Sequence, residues 1–476
     1  MQDMDAKYIL RRPLGMFEKN QVAKQLTKGY ASVTLTAELQ HPPRPTNTTA
    51  TNFYKQHLKS ALLPLIQKHP MLRLSLLMAD KPAARFVQLL HLQLDGLVIV
   101  TDQDRFWDQE TQERIITEEC QHEFDLFALK PLWRLRVSCH DDAADRCSIT
   151  LSVQHVIADG LSTATLWKDI LIYMNNSSGD MDSVNKVDGD TVSFSFDTSD
   201  DCEVPLPIED RNGPKDTTIT ASDPMPADGW QGDFPAPEGE TLDTVLHLAK
   251  VGDKAWTNLL RKAKMNSVSM HAVVYAAYLL SWMSVYPNQP VKTATAINCR
   301  TYCQPPIPDD ELGIFFGRYE CGWPLDKLDL LVNNSTGRSA FWNLANIYHN
   351  LIQENKLLTC QRSLLMGDSL PAYPDAYCDV WYNARKNFKM GRSGGLNISD
   401  LGRFNYSSGD DDLWKLEHLW FAQSVHFYAT ILAVNVVTAN GTMHAAITWQ
   451  RGSVLENKAL RFIDLFISTL EKESSK

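Results

Sequence analysis

Apolar positions along the chain switch repeatedly between a spacing near 3.6 and a spacing of 2, and those switches set the predicted elements. Helical spacing covers Glu18–Lys28, Thr51–His69 (with Pro64 as a local defect) and the charged amphipathic stretch Trp107–Phe124. Strand-like alternation covers Tyr30–Leu39, Met71–Leu77, Arg85–Leu92, Val98–Thr101 and Trp133–Ser138. In Ser148–His155 the side chains of Ile149, Leu151, Val153 and His155 share one parity, and so one face of a strand. Thr150, Ser152 and Gln154 take the other. Asp159-Gly160 then predicts a tight turn, Ser162-Thr163 a helix cap, and Leu166–Met174 a helix. His155 is therefore expected at a strand end, on its apolar face.

Periodicity fails over Asn175–Glu240, which is rich in Asp, Ser, Gly, Pro and Thr and reads as a long crossover. Phe194, Phe196, Trp230 and Phe234 within it predict that it lies along the surface. Beyond it come a strand (Thr241–Ala249), two helices (Ala255–Lys264 and Met270–Val285), a strand (Val291–Asn298) and a helix (Ala340–Lys356). Val425–Thr438 and Thr442–Gln450 are β-rich runs joined through Asn440-Gly441, a hairpin signal, and Val454–Glu473 is a closing amphipathic helix. A chain of 476 residues exceeds the usual size of one hydrophobic core. We therefore expect two domains, 1–174 and 241–476, linked by a crossover over 175–240.

Composition changes this picture little. Hydrophobic content of 44% and charged content of 22% are ordinary for a globular protein. The net charge of −11 argues against nucleic-acid binding, and it is concentrated in the crossover, which carries 16 acidic residues against three basic ones. The nine cysteines are scattered with no zinc-ligand spacing, so reduced thiols and no metal are expected. No apolar run reaches the ~18 residues a membrane-spanning helix needs, and the polar N-terminus lacks a signal-peptide core. The expectation is a cytoplasmic protein without a transmembrane segment. The acids on the closing helix (Glu456, Asp464, Glu471, Glu473) favour core packing over membrane contact.

The chemistry resides in His155-Val156-Ile157-Ala158-Asp159-Gly160. An imidazole titrates near neutrality, so a His held in one tautomer can take a proton from an alcohol or amine. Asp159 is placed to fix the loop by pairing with an Arg, and Gly160 to allow the tight backbone. By itself the motif more often marks a hydrogen-bonded structural His than a catalyst.

Other segments, in order, resemble the fungal alcohol acetyltransferase family. That family lies within the chloramphenicol-acetyltransferase-like superfamily of plant acyltransferases and peptide-synthetase condensation domains. The resemblance is carried by Arg12-Pro13-Leu14-Gly15 with Glu18, by His69-Pro70-Met71-Leu72-Arg73, and by Phe124-Asp125 with Pro131-Leu132-Trp133-Arg134. It continues through the His155–Gly160 motif, Asn298-Cys299-Arg300, Leu312-Gly313-Ile314-Phe315, Asn397–Gly402 and Phe421–Ser424. Two departures stand out: Asp400 replaces the family's Asn, and Gln154 stands where condensation domains place a second His. The latter favours an acyl-CoA-using enzyme.

The resemblance implies a two-domain α/β fold, each domain a mixed sheet flanked by helices, with an active-site tunnel at the interface. It implies acetyl-CoA or another acyl-CoA as co-substrate, no bound cofactor, and an alcohol or hydroxylated natural product as acceptor. His155 would be the base, and Arg300 matches the partner of Asp159 by position. Ser399, Asp400, Gly402 and Arg318 are candidates for acceptor, oxyanion or CoA binding, and Arg403 for CoA phosphates. A monomer is expected. N-acylation, a carrier-protein donor and a catalytically silent binding protein stay open as alternatives.

Overall fold

The computed structural model describes residues 8–103, 108–176, 193–196, 203–211, 229–239, 242–333, 339–365 and 372–475. The first half runs β1 (Tyr8–Pro13), α1 (Met16–Leu26), β2 (Ser32–Gln40), α2 (Ala50–Lys68), β3 (Leu74–Leu77), β4 (Arg85–Leu89), β5 (His91–Gln93) and the single turn α3 (Leu94–Leu97). It continues through β6 (Val98–Asp102), α4 (Gln109–Cys120), β7 (Trp133–Cys139), β8 (Arg146–Gln154), α5 (Gly160–Asn176) and β9 (Ser193–Ser195). The second half begins with β10 (Thr244–Val251), α6 (Asp253–Met265), α7 (Met270–Val285), β11 (Val291–Asn298), β12 (Phe316–Trp323), α8 (Leu325–Asn333) and α9 (Ala340–Leu365). It ends with α10 (Asp375–Asn387), β13 (Leu396–Arg403), β14 (Lys415–Gln423), β15 (Leu432–Ala439), β16 (Thr442–Gln450) and α11 (Glu456–Ser475).

Two mixed sheets carry the two halves, as a mixed α/β fold requires. The first has the order β14-β2-β8-β7-β6 and the second β10-β16-β15-β13-β11-β12. β8 is central in its sheet and buried on both faces, since Thr150, Ser152 and Gln154 are as enclosed as Ile149, Leu151 and Val153. α2 and α5 lie against this sheet, and Trp167 of α5 donates to the Leu35 carbonyl at 2.6 Å. α4 also packs on β2 and β8, capped by Asp108, which accepts from Thr111 N–H at 2.6 Å. Its fully buried Glu119 accepts from Arg134 at 2.7 Å and from Ser152 Oγ at 2.7 Å, so the polar side of β8 has partners. In the second half α6, α7, α9 and α11 pack together and against their sheet.

The periodicity missed β14, and β14 is the strand that joins the halves. It comes from the region assigned to the second domain, yet it pairs antiparallel with β2, from Lys415 opposite Gln40 to Gln423 opposite Val33. It also packs on β15 and β16, and a small core of Ile116, Cys120, Leu246, Leu248, Trp420, Ala422 and Ala446 fills the space between. A strand from the region after residue 240 therefore extends the sheet of the first half.

Other expectations need adjustment. The β-rich run starting at Val425 becomes a strand only at Leu432; the residues before it form a loop. The helix from Ala340 extends to Leu365, and Trp107 and most of the crossover lie outside the described residues. Within the crossover Phe194, Phe196 and Trp230 are buried, whereas Phe234 is exposed. No single helix among the described residues is long and apolar enough to cross a membrane. α6 and α7 together match in length and composition but are bent by 107°.

Leu419 of β14 is fully buried opposite Ala37. Leu419→Ala should lower stability by about 2–5 kcal/mol. Urea unfolding followed by tryptophan emission and by circular dichroism should still give coincident transitions. Two separated transitions would contradict the strand's role as the joint.

Candidate active site

β8 ends at Gln154 and α5 begins at Gly160, so five residues make the connection. His155 is the first of them and is 7% exposed. Its Nδ1–H donates to the Ala158 carbonyl at 2.9 Å, which fixes the tautomer with Nε2 as the free acceptor. The ring stacks on Phe316, with centroids 5.4 Å apart, and lies 5.9 Å from the Tyr30 ring. Burial first, and the nearby Lys24 ammonium second, push His155 down to about 4, so it stands neutral at physiological pH.

Asp159 faces away from that ring. Arg300, at the end of β11, donates to both its oxygens, at 2.8 and 3.1 Å, and both side chains are buried. The same carboxylate accepts from Ser162 N–H at 2.8 Å and Phe315 N–H at 3.0 Å. The Arg300 charge and these donors hold it below the usual carboxylate range, against the opposing effect of burial. Asp159 N–H in turn donates to the Gly313 carbonyl at 2.9 Å. Asp159 is thus the cap of α5, in place of Ser162, whose Oγ accepts from Arg300 at 2.9 Å.

Gly160 sits at a close approach of the two halves and not at a positive backbone angle. A Cβ there would sit 2.5 Å from Leu401 Cδ2 and 3.2 Å from Phe421 Cζ, both contributed by the second half of the chain.

A cavity of about 400 Å³ opens beside His155, lined from both halves. Of the sequence-derived candidates it gathers His155, Asp159, Gly160, Arg300, Arg318, Ser399 and Asp400. Ser399 on β13 is 8% exposed. Asp400 accepts from Gly402 N–H at 2.8 Å and lies 3.2 Å from His271 Nδ1, so it is held by the protein itself. Arg318 pairs with Glu320 at 2.9 Å. Gly402 is not brought to the cavity: with φ of +71° it sits at the register break in β13, where glycine is favoured. Arg403 is exposed and outside the cavity as well.

Sequence reasoning missed Lys24, Tyr30, Trp381 and His426, all of which line the cavity. Tyr30 OH donates to Gln423 Oε1 at 3.0 Å, and Gln423 donates to Asn435 Oδ1 at 2.9 Å. The Lys24 ammonium lies 5.7 Å from the Tyr30 ring and 5.6 Å from the Trp381 ring. These residues occupy a helix, a strand edge and a loop with no motif of their own; only their assembly in space marks them.

The comparisons with known proteins bear on family and fold. The condensation-domain family model matches residues 46–186, and the alcohol acetyltransferase model matches residues 256–473. No curated protein matches the sequence. Among solved structures, trichothecene 15-O-acetyltransferase TRI3 from Fusarium sporotrichioides superposes with a TM-score of 0.71 at 12% identity, covering 98% of this chain and 95% of that one. The epimerization domain from the third module of tyrocidine synthetase B gives 0.62 at 13% identity, covering 98% and 96%. Polyketide synthase associated protein 5 from Mycobacterium tuberculosis gives 0.59 at 13%, covering 98% and 100%. At these identities the superpositions establish a shared fold.

Breaking the Asp159–Arg300 pair should leave a buried charge uncompensated. We expect Asp159→Asn to destabilise the chain by roughly 3–5 kcal/mol, read from the denaturation midpoint. A change under 1 kcal/mol would mean that the pair does not organise the loop.

Proposed function

We propose that this chain, an acyltransferase of the condensation-domain fold with an alcohol acetyltransferase second half, moves an acyl group, acetyl in the first instance, from acyl-CoA to a hydroxyl acceptor. The observation that carries this reading is His155, with Nδ1 occupied by Ala158 O and Nε2 left free beside the two-sided cavity. Such a base needs no nucleophilic Ser or Cys.

The acceptor hydroxyl gives its proton to His155 Nε2 as its oxygen attacks the thioester carbonyl carbon. The tetrahedral oxyanion then collapses, the carbon–sulfur bond breaks, and the departing thiolate recovers the proton from the imidazolium. An oxyanion in a water-poor cavity needs a donor, and the Ser399 hydroxyl on β13 is our candidate. We assign Asp159 and Arg300 to positioning, since their polar atoms are already committed to one another. Arg318, at the rim, is the candidate contact for CoA phosphates. The described cysteines are all free thiols, and on that ground we assign the enzyme to the cytoplasm.

The test is a mass-spectrometric screen of acyl-CoAs against pooled alcohols and amines, with thiol release followed continuously. His155→Ala should lose roughly 10²–10⁴-fold in rate while melting close to the parent protein. Full activity in that variant would exclude the reading.

The pH profile gives a second check. A base with its pKa depressed to about 4 is already deprotonated at neutrality and is lost only on acidification through that value. With acetyl-CoA and a neutral alcohol, kcat/KM should therefore lack the inflection near 6.5 of an ordinary imidazole.

A further inference from the structure

The cavity is lined by three cations (Lys24, Arg300, Arg318) and three carboxylates (Asp159, Glu320, Asp400), but they are not all paired with one another. Its carboxylates each have a partner: Asp159 has Arg300 at 2.8 Å, Glu320 has Arg318 at 2.9 Å, and Asp400 has His271 at 3.2 Å. Lys24 is the lining cation left over. Among the described residues it forms no ion pair, and its ammonium has only the Gln21 side-chain oxygen, at 3.0 Å, and the faces of Tyr30 and Trp381. Desolvation, with Arg318 as a second positive neighbour, lowers its pKa to about 7.

Beside it stands His426, whose ring is 4.4 Å from Trp381 and 6.2 Å from Tyr30. Both of its nitrogens are buried and neither has a hydrogen-bond partner. Burial, Lys24 and Arg318 keep this imidazole neutral, so it offers one donor and one acceptor into the same corner. A half-buried cation without an ion pair and an imidazole whose two buried nitrogens lack partners are each unfavourable unless a ligand completes them.

We infer that Lys24 and His426, walled by Tyr30 and Trp381, form a subsite for a carboxylate carried by one of the two substrates. The Lys24 ammonium pairs with that carboxylate, and the His426 N–H donates to it. The Tyr30 ring, 5.9 Å from His155, spaces the anion from the base. This deepens the acyl-transfer reading and rests on it. Two sources supply the same chemistry: a hydroxy acid as acceptor, or a dicarboxylic acyl group on the donor.

Two experimental arms separate the sources. In the first, acetyl-CoA is offered with hydroxy acids and with their methyl esters. In the second, malonyl-CoA and acetyl-CoA are compared with neutral alcohols. In one arm kcat/KM should favour the carboxylate form by about tenfold or more, and Lys24→Met should narrow that preference by a similar factor, chiefly through KM. Lys24→Gln replaces it should the Met variant not fold.

Binding is read separately in His155→Ala protein, by the rise in melting temperature with hydroxy acid against ester and with malonyl-CoA against acetyl-CoA. A greater rise with the carboxylate form, lost on adding Lys24→Met, supports the subsite even if no arm turns over; that combination would sink only the transfer reading. Equal rates and equal melting shifts for charged and neutral forms in both arms would overturn the subsite.

Discussion

Everything in the site depends on a buried ion pair between the two halves of the chain. Asp159 and Arg300 are 141 residues apart in sequence and each is almost wholly enclosed. Taking two such charges out of water is expensive, and their attraction offsets this only when the remaining polar atoms are also satisfied. Here Ser162 and Phe315 N–H groups complete the carboxylate, while the guanidinium also meets the Ser162 hydroxyl and the face of Phe315 (4.9 Å), with only its buried Nε left without a hydrogen-bond partner. The pair thereby fixes the short connection between β8 and α5. Within that connection the Ala158 carbonyl is aimed at His155 Nδ1, so the orientation of the base follows from a contact the base does not make.

The electrostatics of the cavity act in the same direction. A histidine beside an aspartate often becomes more basic, but Asp159 is neutralised by Arg300 and its raising effect on His155 is outweighed. Burial and the Lys24 ammonium win, and the imidazole stays unprotonated. A weak base is poorly suited to removing a proton completely in the ground state. It is suited to accepting one late, as bond formation makes the hydroxyl more acidic, and to returning it to a departing thiolate.

Much of this was legible in the sequence, for identifiable reasons. β8 shows through its strict parity, a local consequence of backbone geometry, whereas Asp159-Gly160, read as a turn, instead caps and opens α5. Arg300 was found through an ordered resemblance and not through any periodic signal. β14 was not seen: Lys415–Gln423 mixes charged and aromatic residues, because one end meets solvent while Leu419–Ala422 is buried between the sheets. Such a strand follows its neighbours instead of a period of two. Gly160 was read as a turn glycine, but its surroundings are set by the close approach of Leu401 and Phe421, which no local pattern encodes. Lys24 and His426 belong to the same class, since a missing counter-ion is visible only in three dimensions.

The route of β14 also constrains how the site can form. Phe421, whose ring lies close against Gly160, and Gln423, which meets Tyr30, belong to a strand that extends the sheet of the other half. The base therefore comes from the first half, while the wall that confines it comes from the second half and is hydrogen-bonded into the first. Relative sliding of the halves would have to break the β2–β14 ladder or the Asp159–Arg300 pair, and both lie close to His155. A cavity built in this way has rigid walls at its centre. Differences in what it accepts must then reside in side chains along α1, α10 and the loop before β15, which line it without carrying the ladder.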